Sequence, residues 1–386
     1  MTARRPAPPP AAPPALPPAA PPALPSAVPP AVPSALPPLL IAWQRQHGRH
    51  GLPWVGSRDP YRVWLSEIML QQTQVSVVLG YYGRFLQHLP DVAALATAHQ
   101  DDVLALWSGL GYYSRARHLH RCAQVVVQQH GGVFPANSAA LAGLPGIGRS
   151  TAAAIAAFCF DERCAILDGN VKRVLTRALG FADDLAELRH ERVLWLKAEA
   201  LLPDAPQMAA YTQGLMDLGA SLCSTRRPAC DACPLARICV ARAEGRPEAY
   251  PVKTRKLKRG QRDHTLLWLD HGGSVWLVQR PQTGVWAGLW SLPEFASTDA
   301  LGDQTIGWPG NGRPQPAVQH ALTHFDWTLR PCFWQLPAAL GPAALQAVQA
   351  SLPAGRWVAR PEALALGLPA PIRRLLAAGV PGFAAV

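Results

Sequence analysis

The chain has 386 residues, room for about two domains plus extensions, and 49% of them are hydrophobic, enough for sizeable cores. No run approaches ~18 uninterrupted apolar residues, and the proline-rich stretch after Arg4 and Arg5 has no compact apolar segment, which argues against a membrane span and a secretory signal. A formal charge of +11 favours a polyanionic partner, because Lys and Arg that neutralise phosphates release counterions; charge alone also fits ribosomal, membrane-surface and merely soluble proteins.

Residues 1–38 hold 16 Pro and 11 Ala in loose repeats such as PPALP and PSALPP. Proline removes backbone donors and favours extended geometry, so this arm is predicted to be disordered, with a solvated tail or a docking arm as its two readings. From residue 39 to 244 the chain reads as an all-helical domain. Val63–Leu79 is a run of helix formers and apolar residues without Gly or Pro. Asp101–Trp107, Arg115–Gln129, Thr151–Phe160 and Val171–Leu179 continue the pattern, separated by Gly, Pro or Asn signals. Residues 245–262 read as a linker with Pro247, Pro251 and the basic residues Arg246, Lys253, Arg255, Lys256, Lys258, Arg259 and Arg262. Such a run is usually just solvated, but it can track a phosphate backbone. Then the texture changes. Thr265–Leu269, Ser274–Gln279 and His324–Leu329 have strand patterns, with Gly272-Gly273 as a hairpin turn. Residues 263–386 are therefore expected to be a separate α+β domain, with helices at Ala343–Ser351 and Ala370–Ala378.

Eight cysteines are too few for a disulfide scaffold, and four cluster as Cys223-x6-Cys230-x2-Cys233-x5-Cys239. Without an export signal, clustered cysteines read as metal ligands in a reducing compartment, so a cytoplasmic protein is expected, nucleoid-associated if bacterial. Soft sulfur donors suit iron–sulfur or zinc, and zinc sites more often use two CxxC knuckles where only one is present. The spacing resembles the iron–sulfur loop of the endonuclease III and adenine glycosylase families, which implies a [4Fe–4S] cluster. Arg226, Arg227 and Arg237 lie in or between the ligands, where the loop can present cations to DNA.

The segment Leu144-Pro-Gly-Ile-Gly148 leads into an Ala-rich run. Gly146 and Gly148 permit a tight turn with exposed N–H groups at a helix start, an anion site. It looks like a helix–hairpin–helix grip on DNA phosphate; a plain helix–turn–helix connection is the bland alternative. Twenty residues further on lies Asp168, within Ile166-Leu-Asp-Gly-Asn-Val-Lys-Arg173. An acid there is often only an N-cap. A hairpin followed at this distance by Asp is, however, the pattern of the helix–hairpin–helix glycosylase superfamily.

Leu52-Pro-Trp54, Tyr61-Arg-Val-Trp-Leu-Ser-Glu67-Ile-Met-Leu-Gln-Gln-Thr-Gln-Val75 and Gly109-Leu-Gly-Tyr-Tyr-Ser-Arg115 closely resemble the MutY-type adenine DNA glycosylases. The resemblance runs from about Leu39 to the C-terminus. It implies a monomer acting on double-stranded DNA with 8-oxoguanine·A or G·A mispairs. Glu67 would protonate N7 of the flipped adenine, and Asp168 would stabilise the oxocarbenium-like transition state. Helical spacing agrees: Glu67 has Val63, Trp64, Leu70 and Gln71 as neighbours, so partial desolvation should keep it protonated near neutrality. The resemblance further implies that Gln72 and Tyr112 wedge the helix, that Trp54, Leu70 and Arg115 lie near the adenine pocket or lesion, and that Ser150 and Asn170 approach DNA.

Bifunctional relatives carry a Lys where this chain has Ser150, so a monofunctional enzyme is expected. Gly284-Val-Trp-Ala-Gly-Leu-Trp-Ser-Leu-Pro-Glu-Phe295 resembles the loop of a Nudix-like domain, but only Asp299 and Asp303 follow Glu294 where a Nudix hydrolase needs an acid cluster for Mg²⁺. Lesion recognition rather than nucleotide hydrolysis is expected. The family's Phe-Ser-His loop reads Leu322-Thr323-His324, with Thr323 and His324 as the DNA-facing pair. Two alternatives remain in view: a lyase-competent glycosylase for oxidised pyrimidines, and a catalytically silent DNA-binding or iron–sulfur redox protein.

Overall fold

In the computed structural model of the chain, residues 31–254 and 258–380 are described; residues 1–30 of the arm, residues 255–257 of the linker (Arg255 and Lys256 of its basic run among them), and residues 381–386 lie outside the described residues. The helical part runs α1 (Ala31–His47), α2 (Pro60–Leu70), α3 (Val75–His88), α4 (Val92–Thr97), α5 (Gln100–Trp107), α6 (Ser114–His130), α7 (Ser138–Ala142), α8 (Arg149–Phe160), α9 (Gly169–Leu179), α10 (Leu188–Ala200), α11 (Met208–Ala220) and α12 (Val240–Ala243). The second part follows as β1 (Gly260–His271), β2 (Ser274–Gln279), β3 (Trp290–Ser291), β4 (Glu294–Phe295), α13 (Thr298–Gln304), β5 (Asn311–Pro314), β6 (Val318–Ala321), β7 (Phe325–Gln335), α14 (Pro342–Ala350), β8 (Gly355–Ala359), α15 (Arg360–Ala363) and α16 (Ala370–Ala378). No helix among the described residues is long and apolar enough to cross a membrane.

Two sequence expectations change here. Helix α1 begins at Ala31, inside the arm expected to stay unpacked as far as residue 38. Leu36 and Leu40 are fully buried and α1 packs on α11, so a continuous apolar face outweighs the helix-breaking Pro37 and Pro38. The run Val63–Leu79 is two helices, not one. Asp59 caps α2, accepting from the Tyr61 N–H at 2.9 Å, and the helix stops at Leu70 without any Gly or Pro. The cause is tertiary: the Arg115 guanidinium of α6 donates to the carbonyls of Ile68, Met69 and Gln71, which a continuing helix would have used itself.

The sheet centres on β1 and β7, which pair in parallel from Gly260↔Phe325 to Asp270↔Gln335. Antiparallel partners extend it: β2 and β4 on β1, β3 and β8 on β2, β5 and β6 on β7. Gly272 and Gly273 take φ of +57° and +80° in the β1–β2 hairpin, the mirror-image turn that matches strand twist. Pairing of Gly260 with Phe325 puts the last three residues of the expected linker, 260–262, into the strand.

The expected separate domains share a core. Trp107, Leu110 and Tyr113 of the helical part pack in one buried cluster with Trp286, Leu289, Leu368 and Ile372 of the sheet part. Polar ties seal the seam: Trp290 Nε1 donates to Asp101 at 3.0 Å, Arg117 to the Ala287 carbonyl at 2.8 Å, and Ser108 and Tyr113 hydroxyls both donate to the Leu368 carbonyl. The glycine–tryptophan loop is thus a docking surface for α5 and α6. Calorimetry should accordingly show one cooperative unfolding transition, and Asp101→Ala should lower its stability by about 1–2 kcal/mol. Two well-separated transitions would contradict the shared core.

Candidate active site

A cleft of ≈ 1510 Å³ opens between α2, α9 and α11 and contains Glu67, Asp168, Trp54, Leu70, Gln72, Ser150 and Asn170 along its wall. Glu67 projects from α2. Asp168 precedes α9 as its N-cap, accepting from the Val171 N–H at 2.7 Å. The Ser150 hydroxyl at the start of α8 accepts from the Leu167 N–H at 3.0 Å, which fixes the chain just before Asp168. A Cβ on Gly219 would stand 2.7 Å from the Asn170 Cβ, so glycine lets α11 lie directly against the first turn of α9. Two acids 101 positions apart in sequence thereby face one space.

Their electrostatics differ. Burial, with the Asp168 charge adding to it, pushes the Glu67 carboxyl up to about 8. Asp168 is also raised by burial, but the N–H groups of Val171 and Asn170 and the charges of Arg173 and Lys172 pull it back. The N-cap and a place in the cleft therefore coexist, since the donors at the start of α9 favour the carboxylate form and offset part of the rise that burial causes. Of the neighbours foreseen for Glu67, Val63, Leu70 and Gln71 line the cleft. Trp64 does not: it is fully buried, its ring 5.2 Å from that of Phe134. Trp54 packs edge-on against Tyr82 at 5.2 Å and presents its other side to the cleft.

Gln72 is exposed at the cleft with a left-handed backbone (φ +56°), and Tyr112 has the same conformation (φ +47°) and is 45% exposed. Arg115, expected near the adenine pocket or lesion, is buried behind both loops, where burial pushes its guanidinium down to about 10. Thr323 and His324 form the exposed tip between β6 and β7, and the Thr323 hydroxyl lies 3.4 Å from the Tyr112 hydroxyl. Leu322 packs on the shared core and so keeps an apolar anchor for the tip.

In the α7–α8 hairpin only Gly146 needs to be glycine, with φ +76° and a hypothetical Cβ 2.5 Å from His118 Cβ. Gly148 caps α8 at an ordinary φ of −83°. In the second part, Glu294 is tied to Arg280 at 2.6 Å, and Asp299 and Asp303 are exposed on α13.

The four cysteines lie near enough to feel one another's charge. The charges of Cys223, Cys230 and Cys239 join burial in raising the Cys233 thiol, up to about 12. Among the described residues no three or more His, Cys, Asp or Glu side chains converge on a single-ion site. A cubane asks for something else, because each iron takes one thiolate and the sulfurs enclose a volume, so this donor set fits a [4Fe–4S] group. Sequence reasoning missed the brace around it. Arg177 of α9 is 2% exposed and donates to Cys223 Sγ at 3.3 Å and the Ser224 carbonyl at 2.7 Å, while Arg173 donates to the Cys223 carbonyl at 2.7 Å. It also missed Arg49, held in the cleft wall by the buried Asp217 at 2.7 Å, and Gln213 beside it, donating to Asp217 at 2.8 Å. The only signal was an Asp in the apolar run of α11.

Residues 65–198 match the HhH-GPD superfamily of base excision DNA repair proteins, and residues 264–378 match the NUDIX domain. An adenine DNA glycosylase of Buchnera aphidicola subsp. Acyrthosiphon pisum (strain APS) is 35% identical over 303 residues, 78% of this chain and 86% of the relative. One from Buchnera aphidicola subsp. Schizaphis graminum (strain Sg) is 31% identical over 342 residues, 88% and 96% of the two chains. A thermostable thymine-DNA glycosylase of known structure is 26% identical, with a TM-score of 0.49, covering 55% of this chain and 97% of its own. With a helix–hairpin–helix part joined to a NUDIX domain and this similarity over most of its length, the chain belongs to the adenine DNA glycosylase family.

Proposed function

We propose that the protein is a monofunctional DNA glycosylase of base excision repair, acting as a monomer on duplex DNA, that removes adenine mispaired with 8-oxoguanine and with guanine. One observation carries this reading: a carboxyl that keeps its proton to about 8 shares a cleft with an N-capped carboxylate. Adenine leaves poorly until a ring nitrogen is protonated, and its departure puts positive charge on the sugar. Glu67 donates its proton to N7, the C1′–N9 bond breaks, and Asp168 stabilises the oxocarbenium-like sugar. Water then adds at C1′ and its proton returns to Glu67.

The reacting atoms are inaccessible in a stacked duplex, so the base must be everted. Gln72 and Tyr112 fill the helix behind it, and Trp54, Leu70 and Asn170 contact the everted nucleotide. Gly146 and Gly148 offer backbone N–H groups to phosphate. Thr323 and His324 read the oxidised guanine, in the same tip that reaches Tyr112. A [4Fe–4S] cluster on Cys223, Cys230, Cys233 and Cys239 would stiffen the loop carrying Arg226, Arg227 and Arg237 toward DNA. The NUDIX part serves recognition and hydrolyses no nucleotide.

Under single turnover, Glu67→Gln should cut excision by about 10³-fold while sparing binding; full activity ends the assignment. The acid form of Glu67 is the active one, so the wild-type rate should be flat below its pKa and fall as pH rises through about 8. Because Asp168 must be ionised, a second limb should appear on acidification, above the usual aspartate range. A rate still rising at pH 9 would contradict these roles. With Ser150 in place of lysine, borohydride should trap no protein–DNA adduct; efficient trapping overturns the monofunctional reading. Since the domains share a core, lesion reading is best tested by Thr323→Ala with His324→Ala rather than by truncation. Preference for 8-oxoguanine over guanine should drop about tenfold, and an unchanged ratio would remove the tip from recognition.

A further inference from the structure

Gln72 and Tyr112 are forty residues apart, on different loops, and both take the left-handed backbone that side chains other than glycine avoid. Such a conformation persists only where its surroundings impose it. A single side chain lies under both. Arg115 is 8% exposed, and its Nη1 donates to the carbonyls of Ile68, Met69 and Gln71 at 2.8, 2.8 and 2.7 Å. Its Nη2 donates to Thr73 Oγ1 at 3.1 Å and to the carbonyls of Leu110 and Gly111 at 3.3 and 3.1 Å. One edge of the guanidinium therefore holds the residues on either side of Gln72, and the same fork reaches the residue before Tyr112. The Tyr112 ring itself lies 5.6 Å from the Arg115 Cζ.

The remaining donor points elsewhere. Arg115 Nε and Trp64 Nε1 are both buried without a protein acceptor, and both residues line a cavity of ≈ 40 Å³ beside Pro145 and Gly146. That is room for one water accepting from both, next to the hairpin turn. A lysine ammonium is a point charge with three donors and cannot span the two loops as a planar fork does.

We propose that Arg115 is a positioning residue that sets both wedge side chains from beneath, so that Gln72 and Tyr112 are presented to the duplex as one pre-formed unit. This rests on the reading of Gln72 and Tyr112 as the side chains that enter DNA. The test uses the full chain and a duplex carrying 2-aminopurine opposite 8-oxoguanine, with the fluorescence rise reporting eversion. Arg115→Lys should slow eversion at least tenfold, and Thr73→Val, which removes one acceptor at the periphery, about threefold. In a Gln72→Ala/Tyr112→Ala background, either change should slow it by less than a further twofold, because the groups it places are gone. A merely structural arginine would cost the same factor in both backgrounds, and that result overturns the inference. So does wild-type eversion in both single variants. Should Arg115→Lys not fold, the Thr73→Val cycle decides alone. If Gln72→Ala/Tyr112→Ala itself everts at the wild-type rate, the wedge reading fails, and the inference falls with it.

Discussion

A carboxylic acid that loses water on entering a folded protein, and meets a second carboxylate there, holds its proton far longer than it would in solution. Glu67 is in that position, and the surrounding architecture follows from the need to keep it there. Helix α2 delivers it to the cleft; the α7–α8 hairpin turns the chain so that α9 starts opposite; the first N–H groups of α9 offset part of what burial does to Asp168. One acid is starved of donors and the other is given two. Two like carboxyls thus meet unlike surroundings, set by burial, by backbone N–H groups and by the charges of Arg173 and Lys172.

Arginine does much of the bracing. Arg115, Arg173 and Arg177 are wholly or partly buried, and their donors go mainly to backbone carbonyls. Each ties a loop to a helix where regular secondary structure ends: the α2–α3 and 108–113 loops for Arg115, the cysteine loop for Arg173 and Arg177. A net charge of +11 therefore overstates what is available to a polyanion, because part of it is spent inside the fold. The Cys223 loop and Asp168 are fastened to the same helix, α9.

How much of this could be read from the residues depended on range. Helices α5, α6, α8 and α9, the β1–β2 hairpin and α16 carry their signals locally, in periodicity, Gly turns and caps, and they appear where expected. Glu67 and Asp168, singled out through the family resemblance, line one cleft. What failed was what distant residues decide. Nothing between Val63 and Leu79 marks the break at Gln71–Gln74, because the breaker is Arg115. Trp64 is a helical neighbour of Glu67, yet its ring packs on Phe134 and takes no part in the cleft wall. The two domains follow the composition change at the linker, but the cluster that joins Trp286, Leu289 and Leu368 to Trp107 and Leu110 carries no local signal. The contact between Thr323 and Tyr112 spans 211 residues and leaves no local trace.

The proton on Glu67 can be observed directly. In the chain labelled at glutamate side-chain carboxyls, the ¹³C resonance that disappears in Glu67→Gln should titrate with a midpoint near 8. A midpoint in the ordinary glutamate range, near 4.5, would mean that the cleft does not hold the acid in its donating form, and the account of base removal would lose its proton source.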